Sequence, residues 1–189
     1  MRPIVSLAVI SVLVIAGPSW AQEPAEPEPA AASLSSKARI APAGEPGEPL
    51  VISGQVFDAD GLRPAADIVV YAYHTDIKGL YTPSGAARPP RLRGWARTDG
   101  EGRYEFRTIR PAPYPGNGPP AHVHFYVSRP GHRRQEAEEL VFVGDPKISS
   151  EMAERSRRAG RFGGVRPITR DPDGVWHCTF DMRLRPNQG

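Results

Sequence analysis

His122, Val123 and His124 form the triplet with the most chemical content in this chain. On an extended strand, residues i and i+2 point to the same side, so both imidazoles share one face. Val123, Phe125 and Val127 take the other face, which is the natural core side. A lone histidine is an ordinary hydrogen-bonded core residue. Two of them opposite an apolar stripe leave two readings open, a solvated polar face or a pair of metal ligands. No carboxylate adjoins the pair in sequence, so a two-histidine, one-carboxylate ferrous site is not indicated. The neighbouring loops instead offer tyrosines, Tyr81 in Gly79-Leu80-Tyr81 and Tyr114 in Pro113-Tyr114-Pro115. Phenolate is a hard, anionic oxygen donor. Two phenolates with two neutral imidazoles would neutralise much of a ferric ion's charge and favour Fe(III) over Fe(II). Each tyrosine alone is an ordinary packing residue, and only the combination Tyr81, Tyr114, His122 and His124 points to a metal.

The elements that must position these residues read as short strands between turn signals. Val51–Phe57, Ile68–His74, Arg103–Ile109, Ala121–Val127, Leu140–Val143 and Val175–Leu184 carry β-branched, aromatic or alternating residues. Asp58-Ala59-Asp60-Gly61, Thr98-Asp99-Gly100-Glu101-Gly102 and Gly144-Asp145-Pro146 have the chemistry of tight turns. This spacing predicts an all-β fold, an antiparallel β-sandwich with long loops around the site. One short surface helix is expected, capped at Ser150 and stopped at Gly160. Glu151 and Glu154 lie near its start and Arg155, Arg157 and Arg158 near its end, as the helix dipole favours.

Residues 1–21 have the parts of a secretory signal peptide: Arg2, the apolar run Ile4–Ala16, then Gly17-Pro18 and small residues flanking Trp20. The expectation is an exported protein, periplasmic or extracellular, with no stable membrane span after processing. Residues 22–49 are rich in Pro, Ala and Glu and read as a disordered linker, leaving residues 50–189 as the folded domain. Cys178 is the only cysteine, so no internal disulfide can form. It shares an apolar face with Trp176, Phe180, Met182 and Leu184, which makes it a packing residue. The net charge is +3 and the arginines are scattered among turn residues. With no basic helix and no aromatic RNA-binding motif, nucleic acid is not an expected partner. His177 is expected to face solvent and His132 to sit in a basic turn, while His74 carries no assignment.

Several stretches together resemble the core of intradiol ring-cleaving dioxygenases, most closely the protocatechuate 3,4-dioxygenase β-subunit type. They are Tyr73-His74-Thr75-Asp76 through Tyr81, Arg93-Gly94-Trp95-Ala96-Arg97-Thr98-Asp99, Gly102–Pro111, Pro113-Tyr114-Pro115 and Ala121–Phe125. Leu140–Pro146 and Phe180–Arg185 resemble later landmarks of the family, so the likeness runs in order from about Val51 to Arg185. The resemblance implies one non-haem Fe(III) per chain, held by Tyr81, Tyr114, His122 and His124. It makes Tyr81 the permanent phenolate and Tyr114 the catalytic one, leaving the metal when substrate binds. The implied reaction cleaves a catechol-type ring between its hydroxyl-bearing carbons with O2, giving a muconate-type diacid. Its partners are then a small aromatic diol and O2, with oligomerisation left open.

Two positions depart from that pattern. Pro119 stands where many members have arginine, three residues before the first ligand histidine, and Glu139 where many have glutamine. In the resemblance both steady the bound substrate. Arg88, Arg91, Arg93 and Arg97 follow Tyr81 and could line the mouth of the site or a solvated loop. A competing reading is a non-enzymatic transthyretin-like or carboxypeptidase-regulatory-like sandwich, which Gly54–Asp58 and Thr98–Phe106 fit equally well. Such a module has no need of two tyrosines beside a histidine pair. A second alternative is a family member that kept the iron but changed or lost ring cleavage.

Overall fold

The computed structural model describes residues 29–83 and 89–186. The signal segment 1–21, the first residues of the linker and Arg88 lie outside the described residues. Two sheets face each other. The first contains β1 (Lys37–Arg39), β2 (Pro49–Phe57), β5 (Arg103–Ile109), β10 (Ile168–Arg170), β11 (Trp176–Thr179) and β12 (Met182–Arg183). The second contains β3 (Val69–His74), β4 (Leu92–Arg97), β6 (His122–Ser128), β7 (Gln135–Glu136), β8 (Leu140–Phe142) and β9 (Val165–Arg166). The sandwich expected from the strand spacing is present. It is not wholly antiparallel, because β1 runs parallel to β5, β11 and β12 to β2, and β9 to β8.

Alternation decides which faces meet. Ile52 and Val56 of β2 and Tyr104 and Phe106 of β5 pack against Val70 and Ala72 of β3 and Val123, Phe125 and Val127 of β6. Phe125 lies at the centre, with ring centroids 5.0 Å from Phe180 and 6.3 Å from Phe106. Fully burying a large apolar side chain contributes about 1.5–3 kcal/mol, so each of these rings adds on that order to the cohesion of the core. Cys178 belongs to the same core and is 3% exposed, with burial pushing its thiol up to about 12. The packing role expected for it holds.

The long strand expected over Val175–Leu184 is broken into β11 and β12 at Phe180-Asp181. Gly54 sits opposite the break. A Cβ there would meet the Phe180 carbonyl oxygen at 1.9 Å, so only glycine lets β2 pass this close. The Phe180 carbonyl accepts from the Tyr104 hydroxyl at 2.6 Å, and Asp181 accepts from the Gln55 amide at 2.9 Å.

Residues 37–49, read from composition as linker, are part of the folded unit. β1 lies along β5, Ile40 and Ala41 are in the core, and Glu45 forms two 2.6 Å bonds with the Arg91 guanidinium. Proline and alanine content hid this, because a three-residue strand and two core residues leave little apolar pattern in the chain. The helix α1 (Ser150–Ala159) is present with Gly160 at its end. Its cap is Ser149 rather than Ser150, accepting from the Met152 amide at 3.1 Å. Among the described residues no helix is long and apolar enough to cross a membrane.

Candidate metal centre

The outer face of the second sheet carries the site. β3 and β6 pair antiparallel with Tyr73 opposite His124, and the two rings stack with centroids 4.5 Å apart. His122 and His124 point away from Val123 and Phe125, as strand geometry requires. His122 is 5% exposed.

Two loops bring the tyrosines over this face. Asp76 shapes the first, its carboxylate accepting from the amides of Lys78 at 2.8 Å and Leu80 at 3.1 Å. The Asp76 carbonyl also accepts from the Ala112 amide, and the Thr75 hydroxyl donates to the Ala112 carbonyl at 2.6 Å. The two loops are thereby fastened to each other. Gly79, with φ +75°, lets them touch, since a Cβ there would fall 2.1 Å from the Pro113 carbonyl oxygen. On the other side the Arg91 amide donates to the Tyr81 carbonyl at 2.8 Å.

The four side chains expected to act together do converge. Tyr81 Oη lies 2.8 Å from His124 Nε2 and in direct contact with Tyr114 Oη. Tyr114 Oη lies 3.2 Å from His122 Nε2, and the two Nε2 atoms are 3.0 Å apart. His122 Nδ1 donates to the Pro120 carbonyl at 2.7 Å, which leaves the lone pair of the neutral ring on Nε2. Glu139 Oε1 lies 3.3 Å from His124 Nδ1 and calls for a proton on that nitrogen. Both Nε2 lone pairs then face the two tyrosine hydroxyls, so that four donor atoms converge on one point. Two imidazole nitrogens and two oxygens that can ionise are a donor set that fits one hard, highly charged metal ion.

His122, His124 and Glu139 also form a close group of metal-binding residue types. Glu139 touches the Nδ1 edge of His124, however, while the phenols meet its Nε2 edge. One ion could not take both edges of the same ring, so Glu139 belongs behind His124 rather than in the ligand set. The family resemblance puts Glu139 beside the substrate and does not pair it with His124. The contact follows from register: Val123 pairs with Leu140, which sets Glu139 across from His124. The same reading missed Asp145 and Tyr73 as neighbours of the site. The Gly-Asp-Pro turn was a visible signal for the first.

The described arginines that follow Tyr81 have protein partners of their own. Arg91 pairs with Glu45, Arg97 with Asp67 at 2.9 Å, and Arg93 donates to the Pro90 carbonyl at 2.5 Å. His177 is exposed and sits 2.7 Å from Asp171, and His132 lies in an exposed turn, as expected. His74 is buried between the sheets, donating from Nδ1 to the Thr75 carbonyl at 2.7 Å and accepting from the Thr108 hydroxyl at 2.6 Å. Burial pushes its imidazole down to about 4. It is therefore a neutral strut between the sheets.

This combination defines a class: a β-sandwich with a two-tyrosine, two-histidine donor cluster on the outer face of one sheet. The chain belongs to the intradiol dioxygenase family, since the family model described as dioxygenase matches residues 15–186. It is 38% identical to catechol 1,2-dioxygenase 1 of Acinetobacter lwoffii over 141 residues, covering 65% of this chain and 44% of that protein. It is 35% identical to the protocatechuate 3,4-dioxygenase beta chain of Burkholderia cepacia, covering 56% of this chain and 50% of that one. The crystal structure of catechol 1,2-dioxygenase from Acinetobacter sp. ADP1, inhibited by bound mercury, superposes with TM-score 0.61 at 29% identity, over 80% of this chain and 57% of that one. The chain thus spans about half the length of the curated catechol dioxygenases it matches.

Proposed function

We propose that this protein is a non-haem Fe(III) dioxygenase that cleaves a catechol-type ring between its two hydroxyl-bearing carbons, placing both atoms of O2 in a muconate-type diacid. The convergence of Tyr81, Tyr114, His122 and His124 carries this reading. One iron per chain would be held by these four side chains. Ferric iron, when bound, supplies a Lewis acid and template for a chelated catecholate and dioxygen.

The chain's own residues do the rest. Tyr81, fastened by the Asp76 turn and by Arg91, is the phenolate that stays. Tyr114 lies on a loop of prolines and glycines, with exposed neighbours on both sides, and is the phenolate that leaves. On leaving, its Oη takes the proton of one catechol hydroxyl and acts as a general base. The Pro120 carbonyl holds His122 by its Nδ1 edge and the Glu139 carboxylate lies 3.3 Å from the Nδ1 edge of His124, so that both Nε2 atoms face the same point. The leader-like residues 1–21 favour action outside the cytoplasm, which fractionation of the expressing cells would check.

The direct test is the metal and the reaction together. Purified protein should contain iron, show a red-brown phenolate-to-iron absorption band, and convert catechols to diacids with uptake of O2. His122→Ala and His124→Ala should lose iron and colour. Stoichiometric zinc with no visible absorption after iron-replete expression would overturn the ferric assignment.

A further inference from the structure

The two histidines have unlike partners behind them. His122 Nδ1 faces a neutral backbone carbonyl, that of Pro120, at 2.7 Å. His124 Nδ1 faces a carboxylate, that of Glu139, at 3.3 Å. We infer that Glu139 is a positioning residue of the metal centre that supplies, through the His124 imidazole, a third negative charge and so biases the site toward a trivalent ion. This rests on the ferric reading given above.

The placement is built into the fold. Glu139 directly precedes β8, and the ladder between β8 and β6 sets it across from His124. A directly opposite residue on a neighbouring strand is within side-chain reach. Behind it, Gly164 lets the chain pass close to the Glu139 carbonyl, where a Cβ would lie only 2.3 Å from the oxygen. The adjacent Glu138 turns away to Arg155 at 3.7 Å, whereas the ion-pair contact of Glu139 among the described residues is with His124 alone.

The charge balance follows. Two phenolates and two neutral imidazoles leave a ferric site with one positive charge, and a carboxylate behind one imidazole cancels it. A carboxylate on the far N–H of a ligand histidine also fixes the ring and raises its donor strength. Both effects stabilise the more highly charged ion more than a divalent one. The Glu139 side chain is 44% exposed, so solvent weakens the direct Coulomb part. The part carried through the ring is not screened in this way.

The test compares purified wild type, Glu139→Gln and Glu139→Asp. Affinities for Ga(III) and Zn(II), as redox-inert probes, are measured by chelator competition, and the absorption band is recorded on iron-loaded samples. Glu139→Gln should lose about ten- to a hundredfold in Ga(III) affinity, the range typical of partners behind a ligand. Zn(II) affinity should fall much less, and the phenolate-to-iron band should move to longer wavelength. Glu139→Asp should recover most of both changes. Equal losses for the two ions would mean that Glu139 only orients the ring and would overturn the inference. An unchanged affinity ratio with an unmoved band would also overturn it. Failure of the wild type itself to bind any trivalent ion would instead remove the ferric reading on which it stands.

Discussion

The backbone amide of Ala121 donates to the Asp145 carboxylate at 2.9 Å, across 24 positions of sequence. The Gly-Asp-Pro turn after β8 therefore holds the residue next to His122. The same carboxylate accepts from the Lys147 amide at 2.9 Å, and the Lys147 ammonium donates to the Gly116 carbonyl at 3.0 Å, which reaches the Tyr114 loop. Asp145→Ala should cost about 1–3 kcal/mol, because it strands a partly buried amide donor. Asp145→Asn should cost less, since it keeps an acceptor. Urea unfolding measures both, and metal content should fall in the alanine variant before the fold is lost.

The two tyrosines should behave differently. Tyr81→Phe removes the donor held by the Asp76 turn, so metal affinity should drop. Tyr114→Phe should retain the metal yet lose most turnover, because no departing base remains to accept the catechol proton. Metal per chain and catechol cleavage separate the two outcomes. Equal behaviour of the variants would contradict the assigned roles.

Pro119 should slow ring cleavage. It carries no charge and no backbone donor. Three arginines that could have replaced the missing one are engaged elsewhere: Arg107 with Glu105, Arg110 with Glu48 and Arg129 with Asp58. A single well-placed electrostatic stabiliser is commonly worth on the order of a hundredfold in rate. Pro119→Arg should therefore speed single-turnover oxygenation of bound catechol with iron content unchanged. A native rate that this substitution does not raise would mean another group already does the work.

His74 makes stability depend on pH. Its folded value of about 4 lies below the ordinary 6.5, so the unfolded chain binds more protons between these limits. Stability is then fully present above about pH 6.5 and is lost as pH falls toward 4, by about 3 kcal/mol in all. Urea midpoints at pH 7 and pH 5 should differ in this direction. His74→Gln, which can still bond to Thr108, should flatten the difference.

Much of this was legible in the chain. Strict alternation in Arg103–Ile109 and Ala121–Val127 reports which residues face the core, because a strand has a side-chain period of two whatever lies beside it. The same rule put His122 and His124 on one face before any partner was known, and tyrosines in neighbouring turns completed a chemically sensible set. The edge strands were less legible. β7 and β9 are two residues long, and β1, with Ile40 and Ala41 behind it, lies in a stretch whose composition resembles a linker. Elements this short have too few residues for a period to show.

By itself the sequence determined the sandwich, the face of each long strand, the donor types and the burial of Cys178, all of which follow from local pattern and residue chemistry. Only the tertiary structure decided who stands behind whom. Glu139 reaches His124 through strand register, Asp145 reaches Ala121 through a turn folding back, and Arg91 meets Glu45 across 46 positions. Such contacts depend on how strands pair and loops close in space, and no local pattern along the chain encodes that distance.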